Sequence, residues 1–355
     1  MSKKHHFIIL KNELPEDHLL WVKALNNYSD TLTYSIVDLT RNDWLTCIRE
    51  KPADMLLAKP GGVNGQLKQL YDERIYILER VLGYKVFPSA EEIFIYENKR
   101  FLSFWLMANN IPHPETFVCY NKDEAMAFLD SRSFPVVAKT NIGASGSGVV
   151  ILKQLQQGKT YVQDAFSGKG ASQRTGPNLE KGGLLKRGLF YFLNPEKIRN
   201  KLLLYQSRRS AIQKGFVIFQ EFVPHNFEWR VVRIGDSFFA HKKLLMGEKA
   251  SGSLLKGYEN PPPDLFDFVR DITDKHHLYS QAVDIFETGE GYLVNEMQCI
   301  FGQSDPYQML FNNEPGRYVF RSSEWVFEAG DFARNACYDL RLEFLIEQFA
   351  IKSDK

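Results

Sequence analysis

The stretch VVAKTNIGASGSGVVIL, residues 136–152, decides the fold of this chain. A β-prone apolar run carries one lysine, Lys139, breaks into small residues, and resumes as β-branched GVVIL. Three glycines (Gly143, Gly146, Gly148) and two serines (Ser145, Ser147) fall within six positions. Two phosphate-binding signatures fail on spacing. The gap from Gly143 to Gly148 suits GxxxxGK[ST], but Val149 and Val150 follow, and after Gly146 and Gly148 the third position of GxGxxG is Ile151. A strand–loop–strand remains, whose tip offers bare backbone N–H groups to phosphate oxygens or is an ordinary flexible hairpin. Lys139 sits mid-run between Ala138 and Thr140, where an unpaired buried ammonium is costly. A phosphate would neutralise it; a solvated strand face is the alternative.

The second informative stretch is AVDIFETGEGYLVNEMQCI, residues 282–300, which reads as a hairpin. With the turn at Gly289 and Glu290, Asp284 faces Glu296 across the strands, and Gln298 shares the face of Glu296. Carboxylates side by side repel, so a positive group is expected between them. Two carboxylates and an amide oxygen are hard ligands suited to Mg²⁺; an exposed acidic edge is the other reading. Between the two stretches, IFQEFVPHNFEWRVVRIGD reads as a strand, an extended linker and a second strand, with Glu228 and Arg230 on one face.

The first ninety residues alternate strands (HHFIIL, TYSIVDL, ADMLLAKPGG, KVFPS) with helices (EDHLLWVKALNN, RNDWLTCIRE, LKQLYDERIYILERVLG), which predicts a parallel α/β layer. A helix is expected from about Tyr96 to Asn109. From 153 to about 188 the chain is polar without apolar periodicity and reads as a mobile loop, followed by a helix in NPEKIRNKLLLYQSRRSAIQKG. PPPDLFDFVRDITDKHH and YDLRLEFLIEQFAI read as helices. The basic residues Lys181, Lys186, Arg187, Lys197, Arg199, Lys201, Arg208 and Arg209 read as a solvated face or a greeting for an anionic acceptor.

The chain has 355 residues, enough for two or three domains, with 44% hydrophobic and 25% charged residues. A net charge of +1 gives no support for nucleic acid as partner. Four scattered cysteines form no CxxC pair, so neither a disulfide framework nor a zinc site is indicated. No apolar run of 18 residues predicts a membrane span, and the N-terminal apolar run is too short for a signal peptide, so the cytoplasm is the expected location.

In order along the chain, Lys99 before a helix (ENKRF), Lys139 with its small-residue loop, QEFV, EWR, and Asp284…Glu296-x-Gln298 resemble the ATP-grasp superfamily over about residues 90–302. D-alanine–D-alanine ligase and the ribosomal-protein glutamate ligases are similar in pattern. The resemblance implies an α/β (α+β) ATP-grasp fold, with two antiparallel sheets clamping ATP behind a parallel N-terminal layer. It implies domains at 1–95 (N-terminal), 96–216 (lid with a long mobile insertion) and 217–355 (metal-binding hairpin). Lys99, Lys139, Ser145, Gly146 and Ser147 would meet phosphates, Gln220, Glu221, Phe222 and Val223 adenine, and Glu228 the ribose. Asp284, Glu296 and Gln298 would bind Mg²⁺, although the superfamily commonly has asparagine where Gln298 stands. Arg230, Lys242 and Lys249 would serve catalysis on phosphate or acceptor. The implied activity is an ATP- and Mg²⁺-dependent ligase joining a carboxylate to an amine or thiol through an acyl phosphate. Its expected partners are small-molecule or peptide substrates, with a homodimer as the assembly to test for. A kinase on the same scaffold and a catalytically silent nucleotide binder are the alternatives.

Overall fold

The computed structural model describes residues 4–143, 146–172, 198, 202, 205–207, 209, 211–247, 249–250, 255–301 and 305–353. Ser145, most of the basic cluster expected from Lys181 to Arg209, the end of the loop expected to about 188 and much of the helix expected after it lie outside them, as does the side chain of Lys249.

The first layer is a parallel four-stranded sheet ordered β2-β1-β3-β4: β1 (His5–Lys11), β2 (Leu32–Asp38), β3 (Met55–Ala58) and β4 (Val86–Phe87). Its strands alternate with α1 (Leu19–Asn26), α2 (Trp44–Arg49) and α3 (Gly65–Tyr76), which runs on as a π-helical turn to Val81. Phe7, Ile8, Ile9 and Leu10 are all buried because helices cover both faces of the sheet.

Two helices follow in quick succession. α4 (Ala90–Ile95) starts at a reciprocal capping box between Ser89 and Glu92. α5 (Lys99–Ala108) starts where the Asn98 side chain accepts from Phe101 N–H. That cap fixes Lys99 as the first helical residue, which aims it at the loop after β6 instead of along the helix.

The second sheet is antiparallel, ordered β5-β8-β6-β7: β5 (Thr116–Cys119), β6 (Val136–Lys139), β7 (Val149–Leu152) and β8 (Val217–Glu221). α6 (Lys122–Asp130) and α7 (Leu155–Ala165) pack on it. α7 corrects the expectation of a structureless loop from 153. Tyr161, Val162 and Ala165 recur at helical spacing and are buried, a stripe that the surrounding Gln, Lys and Gly residues conceal.

The third sheet is antiparallel as well. Its main path is β14-β13-β9-β10-β16-β15: β9 (Phe227–Ile234), β10 (Ser237–Met246), β13 (Ser280–Thr288), β14 (Gly291–Gln298), β15 (Leu310–Phe311) and β16 (Glu314–Arg321). β11 (Lys249–Ala250), β12 (Lys256–Gly257) and β17 (Glu324–Ala329) attach at its edges. One face buries Trp229, Val231, Phe238, Ala240, Val283 and Ile285 against α5 and α8 (Pro263–Lys275), which has proline in its first turn. The opposite face is apolar at one end (Val232, Ile234, Phe239, Ala282) and charged at the other (Glu228, Arg230, Lys243, Asp284). The last helix, α9 (Tyr338–Ser353), returns to the first layer, where Tyr338, Leu342 and Leu345 join the core of Trp21 and Phe87.

Residues 222–226 form no strand and carry the chain from β8 in the second sheet to β9 in the third. Beside this linker the second sheet meets the charged end of the third, where Lys139 bonds Asn295.

Candidate functional site

The β6–β7 hairpin is closed by Thr140 N–H donating to Gly148 carbonyl at 2.8 Å. Gly148 has no alternative here: a Cβ would lie 1.7 Å from the Thr140 hydroxyl oxygen. Gly146 takes φ +64, the left-handed conformation that lets the tip reverse. The start of the loop is docked on α5. Lys99 Nζ donates to Gly143 carbonyl at 3.1 Å, Arg100 N–H to Asn141 Oδ1 at 2.8 Å, and Gly143 N–H to Glu97 at 3.2 Å.

The β13–β14 hairpin turns at Gly289–Glu290, and Asp284 stands directly opposite Glu296. A bulge follows: Ile285 pairs with Val294, so Asn295 is an extra residue in β14. Extra residues in one strand break the alternation of side chains. Val294 therefore joins the buried core with Ile285, while Glu296, two residues on, faces the other way beside Asp284. Asn295 is re-aimed in the same move, towards the second sheet and towards Glu228.

Four cations converge on these carboxylates. Arg230 donates through Nε and Nη2 to the two oxygens of Asp284 at 2.7 and 2.8 Å, a fork-on-carboxylate geometry. Lys243 Nζ donates to Glu228 at 2.5 Å and to Asp284 at 2.7 Å. Lys99 lies 3.3 Å from Glu296 Oε1. Lys139 Nζ donates at 2.8 Å to Asn295 Oδ1, a direct bond between the second and third sheets. Asn295 in turn donates to Glu228 at 3.3 Å. The positive group expected between the paired carboxylates is thus supplied by the protein itself.

The titration behaviour follows from these neighbours. Burial alone would raise the carboxyls of Asp284 and Glu296, but Arg230 and Lys243 hold Asp284 far below the usual carboxylate range, and Lys99 lowers Glu296. Burial would depress Lys99 and Lys243 too; Glu296 outweighs it at Lys99, and Asp284 with Glu228 at Lys243, so both stay firmly charged. Lys139 is different. It is 8% exposed, its hydrogen-bond partner is a neutral amide, and burial pushes its pKa down to about 8 despite Glu296. It is the under-compensated cation of the site.

Ser147 is buried at the hairpin tip. Gln220 is buried in β8 and donates to Thr116 Oγ1 at 3.1 Å; Glu221 is exposed, and Phe222 and Val223 line the linker. A small cleft among Lys99, Lys139, His113, Gln220, Ile218 and Asn295 lies between the two sheets. The carboxylate of Glu228, expected on a ribose, is turned inward to Lys243 and Asn295. Gln298 follows Glu296 on its face, opposite Ala282. Lys242 is not brought to this face. Adjacent strand residues point to opposite sides, and Lys242 pairs with Glu259, its ammonium 4.0 Å from the Phe227 ring centroid and 5.0 Å from that of Trp229. Its neighbour Lys243, which sequence reasoning missed, occupies the centre instead.

Among the described residues no three His, Cys, Asp or Glu side chains cluster as a stand-alone metal site. Asp284 and Glu296 still offer two carboxylates side by side, with the Gln298 amide on the same face. That set fits a Mg²⁺ ion that brings phosphate and water oxygens with it.

A larger cavity of about 550 Å³ lies on the far side of the 141–143 loop, among Asn64, Lys68, Asp72, Arg100 and Gln213. It shares Arg100 and the start of the loop with the contacts above, and the converging charges around Asp284 and Glu296 lie elsewhere.

No family model matches the chain. Over 88 residues it is 31% identical to the α-aminoadipate–LysW ligase LysX of Saccharolobus solfataricus, and over 90 residues 30% identical to the phosphoribosylamine–glycine ligase of Escherichia coli. Each match takes in 25% of this chain, and the chain spans only 32% and 21% of those proteins. Among solved structures, a RimK domain protein ATP-grasp from Sphaerobacter thermophilus superposes with a TM-score of 0.50 at 16% identity, covering 82% of this chain and 90% of that one. At such identity the likeness concerns the fold.

Proposed function

We propose that this chain, which has the ATP-grasp fold, is an ATP- and Mg²⁺-dependent ligase that joins a carboxylate to a nucleophile through an acyl phosphate. The observation that carries the reading is Lys139: a buried ammonium held by a neutral amide between two sheets needs an anion, and a phosphate oxygen supplies one. The curated relatives, both ligases by name, agree in reaction class over the quarter of the chain they match.

In this reading Lys99 and Lys139 hold phosphoryl oxygens, and Ser145, Gly146 and Ser147 cover them. Gln220, Glu221, Phe222 and Val223 line the base, at the linker between sheets. Glu228 holds Lys243 and Asn295 in register. Asp284, Glu296 and Gln298 take Mg²⁺, which when bound neutralises charge on the phosphates. A substrate carboxylate oxygen attacks the γ-phosphorus, the bond to ADP breaks, and an acyl phosphate forms. The nucleophile then attacks the acyl carbon and phosphate leaves. Arg230, fixed by Asp284, stabilises charge that develops on the transferring group, and Lys249 is its candidate helper.

The test is MgATP turnover with a panel of amino-acid and dicarboxylate acids, using hydroxylamine as nucleophile. Hydroxamate and ADP in equal amounts are expected. A phosphorylated alcohol without hydroxamate would make the protein a kinase, and nucleotide binding without turnover would make it a silent binder; either result rejects the ligase.

A further inference from the structure

His241 is a buried polar residue that the scheme above leaves unused. It stands in β10 directly opposite Arg230, on the face that carries Lys243 and Asp284. It is 2% exposed. Its Nδ1 lies 2.8 Å from the carbonyl oxygen of Gln308. A carbonyl can only accept, so Nδ1 carries the proton and Nε2 presents a lone pair. Nε2 has no hydrogen-bond partner. Burial, then the charges of Arg230 and Lys256, pushes the ring down to about 3, so it stays neutral. A buried acceptor without a donor is uncommon, and a missing ligand is one of its ordinary explanations. Polar groups wall the same place: the Tyr258 ring is centred 6.0 Å away, and both Tyr258 Oη and Lys256 Nζ donate to Asp305, at 2.8 and 2.6 Å.

We propose that His241 Nε2 accepts an N–H of the attacking nucleophile, and that the second substrate is therefore an amine and not a thiol or an alcohol. The inference rests on the ligase reading. Arg230 and Lys256 disfavour an imidazolium beside them, and by the same repulsion they disfavour an ammonium. The amine is held as its free base, the form that has a lone pair. An amine can give one hydrogen to Nε2 and keep that lone pair free for the acyl carbon. A thiol has one hydrogen and is a weak donor. As the C–N bond forms, the C–O bond to phosphate breaks with its electron pair on oxygen. The proton shed by nitrogen departs with the phosphate, since His241 is too weak a base to keep it.

Two variants separate this role from a structural one. In His241→Asn the amide keeps a donor near Nδ1 for Gln308 but loses the acceptor at Nε2. In His241→Gln the longer amide returns an oxygen towards Nε2 and gives up the donor to Gln308. The readout is hydroxamate formation against hydroxylamine concentration at saturating MgATP and acid. The proposal expects His241→Asn to raise KM for hydroxylamine about tenfold, with KM for ATP moving less than twofold, and His241→Gln to recover most of it. The reverse order, with Asn like the parent and Gln impaired, assigns His241 to structure and overturns the proposal. Equal behaviour of both variants and the parent, as when Nε2 merely holds a water, overturns it too. Absence of MgATP turnover in the parent protein rejects the ligase reading first, so the two failures are told apart.

Discussion

Lys139→Met tests whether the site is built for an anion. The side chains are similar in length, so the change removes the charge and one hydrogen bond while leaving most of the packing. Burial depresses the lysine from 10.5 to about 8, and one pKa unit corresponds to about 1.4 kcal/mol. The charged form therefore costs the empty protein on the order of 3 kcal/mol at pH 7. Loss of the bond to Asn295 returns about 1 kcal/mol of that. The variant should be more stable than the parent by roughly 2 kcal/mol at pH 7 without nucleotide. The sign against pH follows from the lowered folded pKa. Between about 8 and 10.5 the unfolded lysine binds more protons than the folded one, so parent stability rises with pH through that window. The gap should close above pH 8 and reverse near pH 10. Urea unfolding from pH 7 to 10, with and without MgATP, measures it, and nucleotide stabilisation should be largely lost in the variant. A variant less stable than the parent at pH 7 that keeps its full MgATP shift would refute the argument.

The remaining predictions concern the parts around that lysine. Lys243→Met strips the shared cation from Glu228 and Asp284 and should cost about 3–5 kcal/mol in denaturant unfolding, since two buried carboxylates lose a partner. Lys242→Ala, on the opposite face, should leave turnover and KM within about twofold of the parent and cost roughly 1 kcal/mol through its stem and ring contacts. Gly148→Ala forces a Cβ onto the Thr140 hydroxyl and should destabilise the protein by about 1–3 kcal/mol, measured by thermal unfolding; pairing it with Thr140→Gly should restore much of the loss.

Much of this protein was legible in one dimension because local patterns carried it. Strand and helix periods gave the parallel first layer, and the glycines between two β-prone runs gave a hairpin instead of a helix-bound loop. Period two, with a turn at Gly289–Glu290, put Asp284 opposite Glu296. The order of weak motifs, more than any one of them, pointed to the fold. What failed was whatever depends on which side of a strand faces which neighbour. Lys242 and Lys243 are equivalent in sequence, and both faces of β10 are covered, so alternation alone cannot say which lysine reaches the carboxylates. The bulge that re-aims Asn295 adds one residue to one strand and leaves no mark in the pattern. His241 looks like any histidine in an apolar strand until the fold brings Arg230, Lys256 and the Gln308 carbonyl around it. The sequence on its own determined which elements form and in what order they follow, because propensity and periodicity act between near neighbours. Only tertiary structure decided the charge pairing, because Coulomb and desolvation terms depend on distances between residues far apart in the chain, as at Lys99 and Glu296.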